Sequence, residues 1–275
     1  MERKPVRRRR SAPSSVSVQI TERDRTLLSF AAEHRFVTAA QIAVILEVTA
    51  AAADGRLRAL RDGGYLRRES KLHRAPAAHR ITPGGLRVIG SDLPAPRRLN
   101  LATYRHDEGL AWLRLAADRG RFGALHDVVS ERRMRSEDAR AAAGATRHGV
   151  RLGGVGPGGR DRVHYPDMVV RTAAGHRVAF ELELSTKSQD RREGILAGYG
   201  ADPRVDVVVY LVDRPEVRRA IHRSAARVGV SHLIRVHDVR LRGSEPAVAG
   251  GRAASRHHGR ARDHGAGASV SENAR

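Results

Sequence analysis

Apolar and polar positions alternate along this chain with two different periods, and the change of period divides it. From Thr21 the apolar residues recur three and four apart, as on one face of a helix. Thr21 and Asp24 mark the start of a helix that contains Leu27, Leu28 and Ala31 and ends near His34. Thr38 with Gln41 forms a capping box, and Val37 with Ile42 a hydrophobic staple, so a second helix starts at Ala39. Thr49 caps a third helix, which turns Ala53, Leu57 and Leu60 inward and Arg58 and Arg61 outward. Asp62-Gly63-Gly64 stops it. Tyr65 to Arg68 and His79 to Thr82 then read as short strands around a basic loop with Lys71, His73 and Arg74, and a further short helix starts after Thr82.

The second half is organised around the stretch from Val163 to Tyr199. A strand begins at Pro166-Asp167, turns at Ala173 to Gly175, and pairs with a strand from Arg177 to Leu184. With a period of two, Val178, Phe180, Leu182 and Leu184 share a core face, while Ala179, Glu181 and Glu183 share a polar one. Ser188 is the expected N-cap of a helix running to about Tyr199. Val205 to Val212 is a nearly continuous apolar run, as expected of a strand covered on both sides. Pro215 opens a helix that Gly229 ends, and His232 to Val236 is the last strand.

Before this stretch, a helix from about Arg105 places His106, Leu110, Leu113 and Ala117 on one buried face. His106 is therefore expected to be a hydrogen-bonded interior histidine. Leu125 to Glu131 reads as a strand with Asp127 and Glu131 on one side. Residues 136 to 162 read as a Gly/Ala/Arg-rich loop. Within it GVGPGG, from Gly154, matches G-x-G-x-x-G only formally, because neither the strand nor the helix of a dinucleotide site flanks it.

The resulting division is a basic disordered tail at 1–20, a first domain at 21–92, a linker at 93–104, a second domain at 105–240, and a second disordered basic tail at 241–275. A chain of 275 residues is long enough for two cores.

Charge changes the picture further. The formal net charge is +21, and about +13 of it belongs to residues 21–240. Such a body favours a polyanionic partner, nucleic acid above all. The absence of cysteine excludes disulfides and thiolate zinc sites and fits a reducing cytoplasm. No apolar run approaches the ~20 residues that cross a bilayer, so no membrane partner is expected.

Three short helices followed by a two-stranded basic hairpin, with LRALRDGGYLRR at the junction, resemble a winged helix-turn-helix. The resemblance implies that the third helix enters the major groove of double-stranded DNA. Arg56, Arg58 and Arg61 would then lie near DNA, and Arg67, Arg68, Lys71 and Arg74 of the wing near phosphates.

Asp167 after Pro166, with Glu181 on the next strand and a helix after Ser188, resembles the PD-(D/E)xK nuclease-like superfamily. That resemblance implies a restriction-endonuclease-like αβββαβ core, making the chain α/β in class and α+β overall. Two carboxylates on adjacent strands suit an oxygen-seeking cation such as Mg2+, with Glu131 a candidate third ligand. Active members carry a lysine two residues after the second acid. Here Glu183 occupies that position, and Lys187 serves only if the chain curls back.

Taken together, the winged helix, the His106 helix and the PD…ExE core with its tyrosine-ended helix resemble the replication-relaxation family of plasmid and integrative-element proteins. This implies a double-stranded DNA-binding protein acting in replication, mobilisation or maintenance of a mobile element; a homodimer is compatible with it. Two alternatives follow from the same residues. One is an Mg2+-dependent endonuclease or nickase in which Asp167 and Glu181 hold the metal and Lys187 orients water. The other is a winged-helix transcriptional regulator.

Overall fold

Helix boundaries in the first third are set by local side-chain caps. The structure, a computed structural model, describes residues 18–70, 75–141, 147–156, 159 and 161–241. Thr21 and Asp24 form a reciprocal capping box that starts α1 (Glu22–Glu33), and Thr38 with Gln41 does the same for α2 (Ala39–Leu46). Thr49 caps α3 (Ala50–Asp62), whose Ala53, Leu57 and Leu60 are buried. Strands β1 (Leu66–Glu69) and β2 (Ala78–Ile81) pair antiparallel, and Thr82 caps the short α4 (Pro83–Val88). Leu27, Leu28, Val37, Ile42, Leu57, Leu60, Leu66, Ile81 and Leu86 close one core among these elements. Val37 and Ile42, the expected staple, both lie in it fully buried.

Within residues 93–104, Leu93, Pro96 and Tyr104 are buried and most of the others are exposed. Leu93 is buried in the first core, and the Pro96 and Arg97 carbonyls accept from buried Arg80. A single 3₁₀ turn, Leu101–Thr103, leads into α5 (Tyr104–Asp118).

A mixed five-stranded sheet follows, in the order β3 (Leu125–Ser130), β6 (Met168–Thr172), β7 (Arg177–Glu183), β8 (Val207–Val212), β9 (Ile234–Asp238). The first three strands pair antiparallel, whereas β7, β8 and β9 run parallel. The parallel strands are connected through α7 (Gln189–Ala201) and α8 (Pro215–Val228), as parallel neighbours require crossover helices. Leu113 and Ala117 of α5 pack with Phe180 and Leu182 on one sheet face. Tyr199 of α7 and Val217 and Ile221 of α8 pack with Ala179 and Val208 on the other. The sequence order of helix, three strands, helix, strand, helix, strand is therefore present, with one insertion.

That insertion corrects the expected loop at 136–162. It contains α6 (Glu131–Arg140) and the antiparallel hairpin β4 (Val150–Val155) and β5 (Asp161–His164). Ser130 ends β3 and caps α6, so Glu131 opens a helix and is not a strand residue. The first two residues of GVGPGG, Gly154 and Val155, are the last residues of β4, whereas Pro157 and Gly158 lie outside the described residues.

A second correction concerns β7. Both of its faces are covered: Glu181 and Glu183 are 4% and 7% exposed, because α7 lies over the face expected to be wet. The expected tails lie outside the described residues except for 18–20 and 241. Among the described residues no helix is long and apolar enough to cross a membrane.

The N-terminal elements meet the rest of the chain through an apolar cluster of Phe36, Ala78 and Tyr104 and through polar contacts. Gln41 donates to the Glu108 carbonyl at 3.0 Å, Arg132 to that of Ala32 at 2.9 Å, and Arg133 Nε to Glu33 at 2.9 Å. Arg35, in the turn between α1 and α2, reaches Asp107 at 3.3 Å and Glu131 at 3.4 Å.

Candidate functional site

Antiparallel pairing of β6 with β7 puts the residue just before β6 beside the end of β7. Asp167 donates its N–H to the Phe180 carbonyl at 3.1 Å, and its Oδ2 accepts the Leu182 N–H at 2.8 Å. The same oxygen is 3.1 Å from Nε2 of His106, on the first turn of α5. Asp167 is thereby held at the backbone of Glu181's neighbour, so the hairpin does bring these two acids to adjoining positions.

Glu181 reaches toward α7 and β5. Its Oε1 is 2.6 Å from Nε2 of His164 and also accepts the buried Tyr199 hydroxyl. Glu183, two residues on, pairs with the Lys187 ammonium. The chain after β7 curls back far enough for Lys187 to reach the acids, although it lies beyond the strand.

Electrostatics separate the two glutamates. Burial pushes Glu181 up, but the His164 charge and hydrogen bond, Lys187 and Tyr199 together draw it below the ordinary carboxylate range. Burial also pushes Glu183 up and there prevails, supported by the charges of Glu181 and Asp167 against Lys187. Burial opposes a charged His106, yet Asp167 and Asp107 overcome it and raise the ring to about 10. His164 is likewise raised by Glu181 and Asp167 against the pull of burial. Buried Tyr199 is pushed well up, first by desolvation and then by Glu181. Asp167, Glu181 and Glu183 thus face His106, His164 and Lys187, and the cluster compensates its own charge.

This arrangement bears on the expected cation. Glu131 lies next to Asp167, donating its N–H to the Asp167 carbonyl at 3.1 Å. Its carboxylate, however, is taken by Arg35 and by Arg135 at 2.7 Å. Among the described residues, no three His, Asp or Glu side chains converge as a metal ligand set. On Asp167 the donors share Oδ2, from His106 and the Leu182 N–H, and on Glu181 they share Oε1, from His164 and Tyr199.

The expected DNA-contacting arginines divide into two groups. Arg56 is committed to the fold: its Nε donates to buried Asp24 at 2.5 Å and its Nη2 to the Gln19 carbonyl at 3.0 Å, tying α3 to α1. Arg58 and Arg61 point outward on α3, paired with Asp54 at 2.9 Å and Asp62 at 2.8 Å. Arg67 and Arg68 are exposed on β1. Lys71 and Arg74 lie outside the described residues.

Residue-by-residue reading did not assign roles to His164, Tyr199 or Asp107. His164 stands three residues before Asp167 and Tyr199 lies in the last turn of α7, but their contact with Glu181 spans 17 and 18 positions. Only the pairing of β4 with β5 and the docking of α7 create it. Comparison with known protein families, with curated proteins and with solved structures gives no match for this chain.

Proposed function

We propose that this chain is a double-stranded DNA-binding protein of the replication-relaxation type, acting in replication, mobilisation or maintenance of a mobile element. In this reading the N-terminal helices and hairpin act as a winged helix-turn-helix, with α3 in the major groove and β1 against the phosphates. The C-terminal sheet is a PD-(D/E)xK nuclease-like module whose acids are held by protein cations and whose task is structural or regulatory.

One observation carries the proposal. Arg58 on the outer face of α3 and Arg67 and Arg68 on β1 are exposed, on elements whose opposite sides are locked into a core. Guanidinium groups displayed on a rigid surface suit backbone phosphates, and the +21 net charge supplies the long-range attraction. The test is fluorescence anisotropy of a labelled duplex with wild-type protein and with R67E/R68E. Binding by the wild type, weakened about tenfold or more in the variant, supports the reading. Equal affinity of the two proteins contradicts it.

A second reading, an Mg2+-dependent endonuclease or nickase, is favoured by one feature: Lys187 brings an ammonium to Glu183, near Asp167 and Glu181. Supercoiled plasmid incubated with Mg2+ distinguishes the two. Nicking that disappears in D167A supports the enzyme, and an intact plasmid supports the binding protein.

A further inference from the structure

Hairpin β4–β5 is anchored firmly at its root, while Val155 and Asp161, at the ends of its strands away from the root, are exposed. Val150 is fully buried and Leu152 packs beside it in the core that holds α7. Gly198 of α7 makes this close approach feasible, since a Cβ there would sit 2.9 Å from the Arg151 carbonyl oxygen. Arg177 donates to the His148 carbonyl at 3.2 Å, and Arg204 to those of Arg147 and Gly149 at 2.9 Å each. These contacts fix where the ribbon leaves the body.

Beyond the root the character changes. Arg151 on β4 and Arg162 on β5 are exposed, and Arg151 lies 3.4 Å from Asp161. Gly153 and Gly154 take positive φ of 70° and 68° at the register shift between Arg151 and Val155. Val155, at the end of β4, is 77% exposed, a large apolar side chain presented to solvent on a narrow support. Folding gains nothing from that exposure. A two-stranded ribbon has the cross-section that a DNA major groove admits, and apolar side chains at such tips lie against sugars and base edges.

We propose that hairpin β4–β5 is a second contact with duplex DNA, with Arg151 and Arg162 on backbone phosphates and Val155 against the groove. The inference rests on the DNA-binding reading above and adds a separate element to it. Because β5 ends at His164, which holds Glu181, the contact belongs to the same rigid piece as the acid cluster.

The test uses the full chain and a fluorescein-labelled duplex of mixed sequence. R151A/R162A is expected to bind about tenfold more weakly than wild type, with a salt slope shallower by about 2. Protein carrying benzoylphenylalanine at position 155 is expected to crosslink to the duplex on irradiation, a readout that does not depend on the arginine variant folding. Wild-type affinity in R151A/R162A together with no crosslink overturns the inference; if R67E/R68E still weakens binding, the DNA reading survives it. Failure of the wild-type chain to bind duplex overturns both.

Discussion

Nε2 of His106 and Oδ2 of Asp167 lie 3.1 Å apart, and this contact fastens the first turn of α5 to the turn that enters β6. With the ring raised to about 10 from an ordinary value near 6.5, the folded chain holds a proton that the unfolded chain releases. The resulting stabilisation is complete below about pH 6.5 and is lost as pH rises through about 10. Melting temperature followed from pH 6 to pH 10 is expected to fall in the wild type and to be flatter in H106Q. Parallel curves for the two proteins would contradict the assignment.

Two other histidines have the opposite sign. Burial lowers His34 and His79 to about 4, so both stay neutral in the fold while the unfolded chain takes up protons below about pH 6.5. Stability is therefore expected to decline as pH falls from 6.5 toward 4. Among the described residues neither ring nitrogen of His79 has a hydrogen-bond partner, so H79L removes a polar group that gains nothing from them. H79L is expected to melt at or above the wild-type temperature at pH 7 and to lose less stability at pH 5.

Glu183 and Lys187 form a pair in which the carboxylate is nearly buried and the ammonium is 24% exposed. K187M leaves Glu183 without its cation and is expected to cost about 2 kcal/mol in urea denaturation. E183Q/K187M is expected to recover most of that. A double-mutant cycle with no coupling would show that the pair contributes nothing.

Arg56 and the β1 arginines should separate in their effects. R56A removes the partner of Asp24, which is 1% exposed, and is expected to lower the melting temperature by several degrees. R67A/R68A is expected to leave it unchanged and to weaken duplex binding instead. Equal loss of stability in both would contradict the division.

The N-terminal elements were legible because their signals are local. Thr21 with Asp24 and Thr38 with Gln41 specify helix starts within four residues, and Leu57 and Leu60 mark one face of α3. Helix α6 was hidden, since Met134 is its buried residue and its polar side chains find partners far away, as Arg133 does in Glu33. Hairpin β4–β5 was hidden by glycines that read as loop but serve a register shift. In the acid cluster, Asp167, Glu181 and Glu183 were identifiable from alternation and spacing. The burial of Glu181 was not, because α7 covers it with Tyr199, and the histidines beside Asp167 and Glu181 arrive from α5 and β5. Arg56 was assigned to DNA because it is a cation on α3; Asp24, 32 positions away, takes it instead.

The salt dependence of duplex binding tests the central claim most directly. If the exposed arginines neutralise backbone phosphates, log K falls linearly with log salt by roughly 0.9 per phosphate contacted, and R67A/R68A makes the slope shallower by about 2. A slope near zero, or one that R67A/R68A leaves unchanged, would contradict the account.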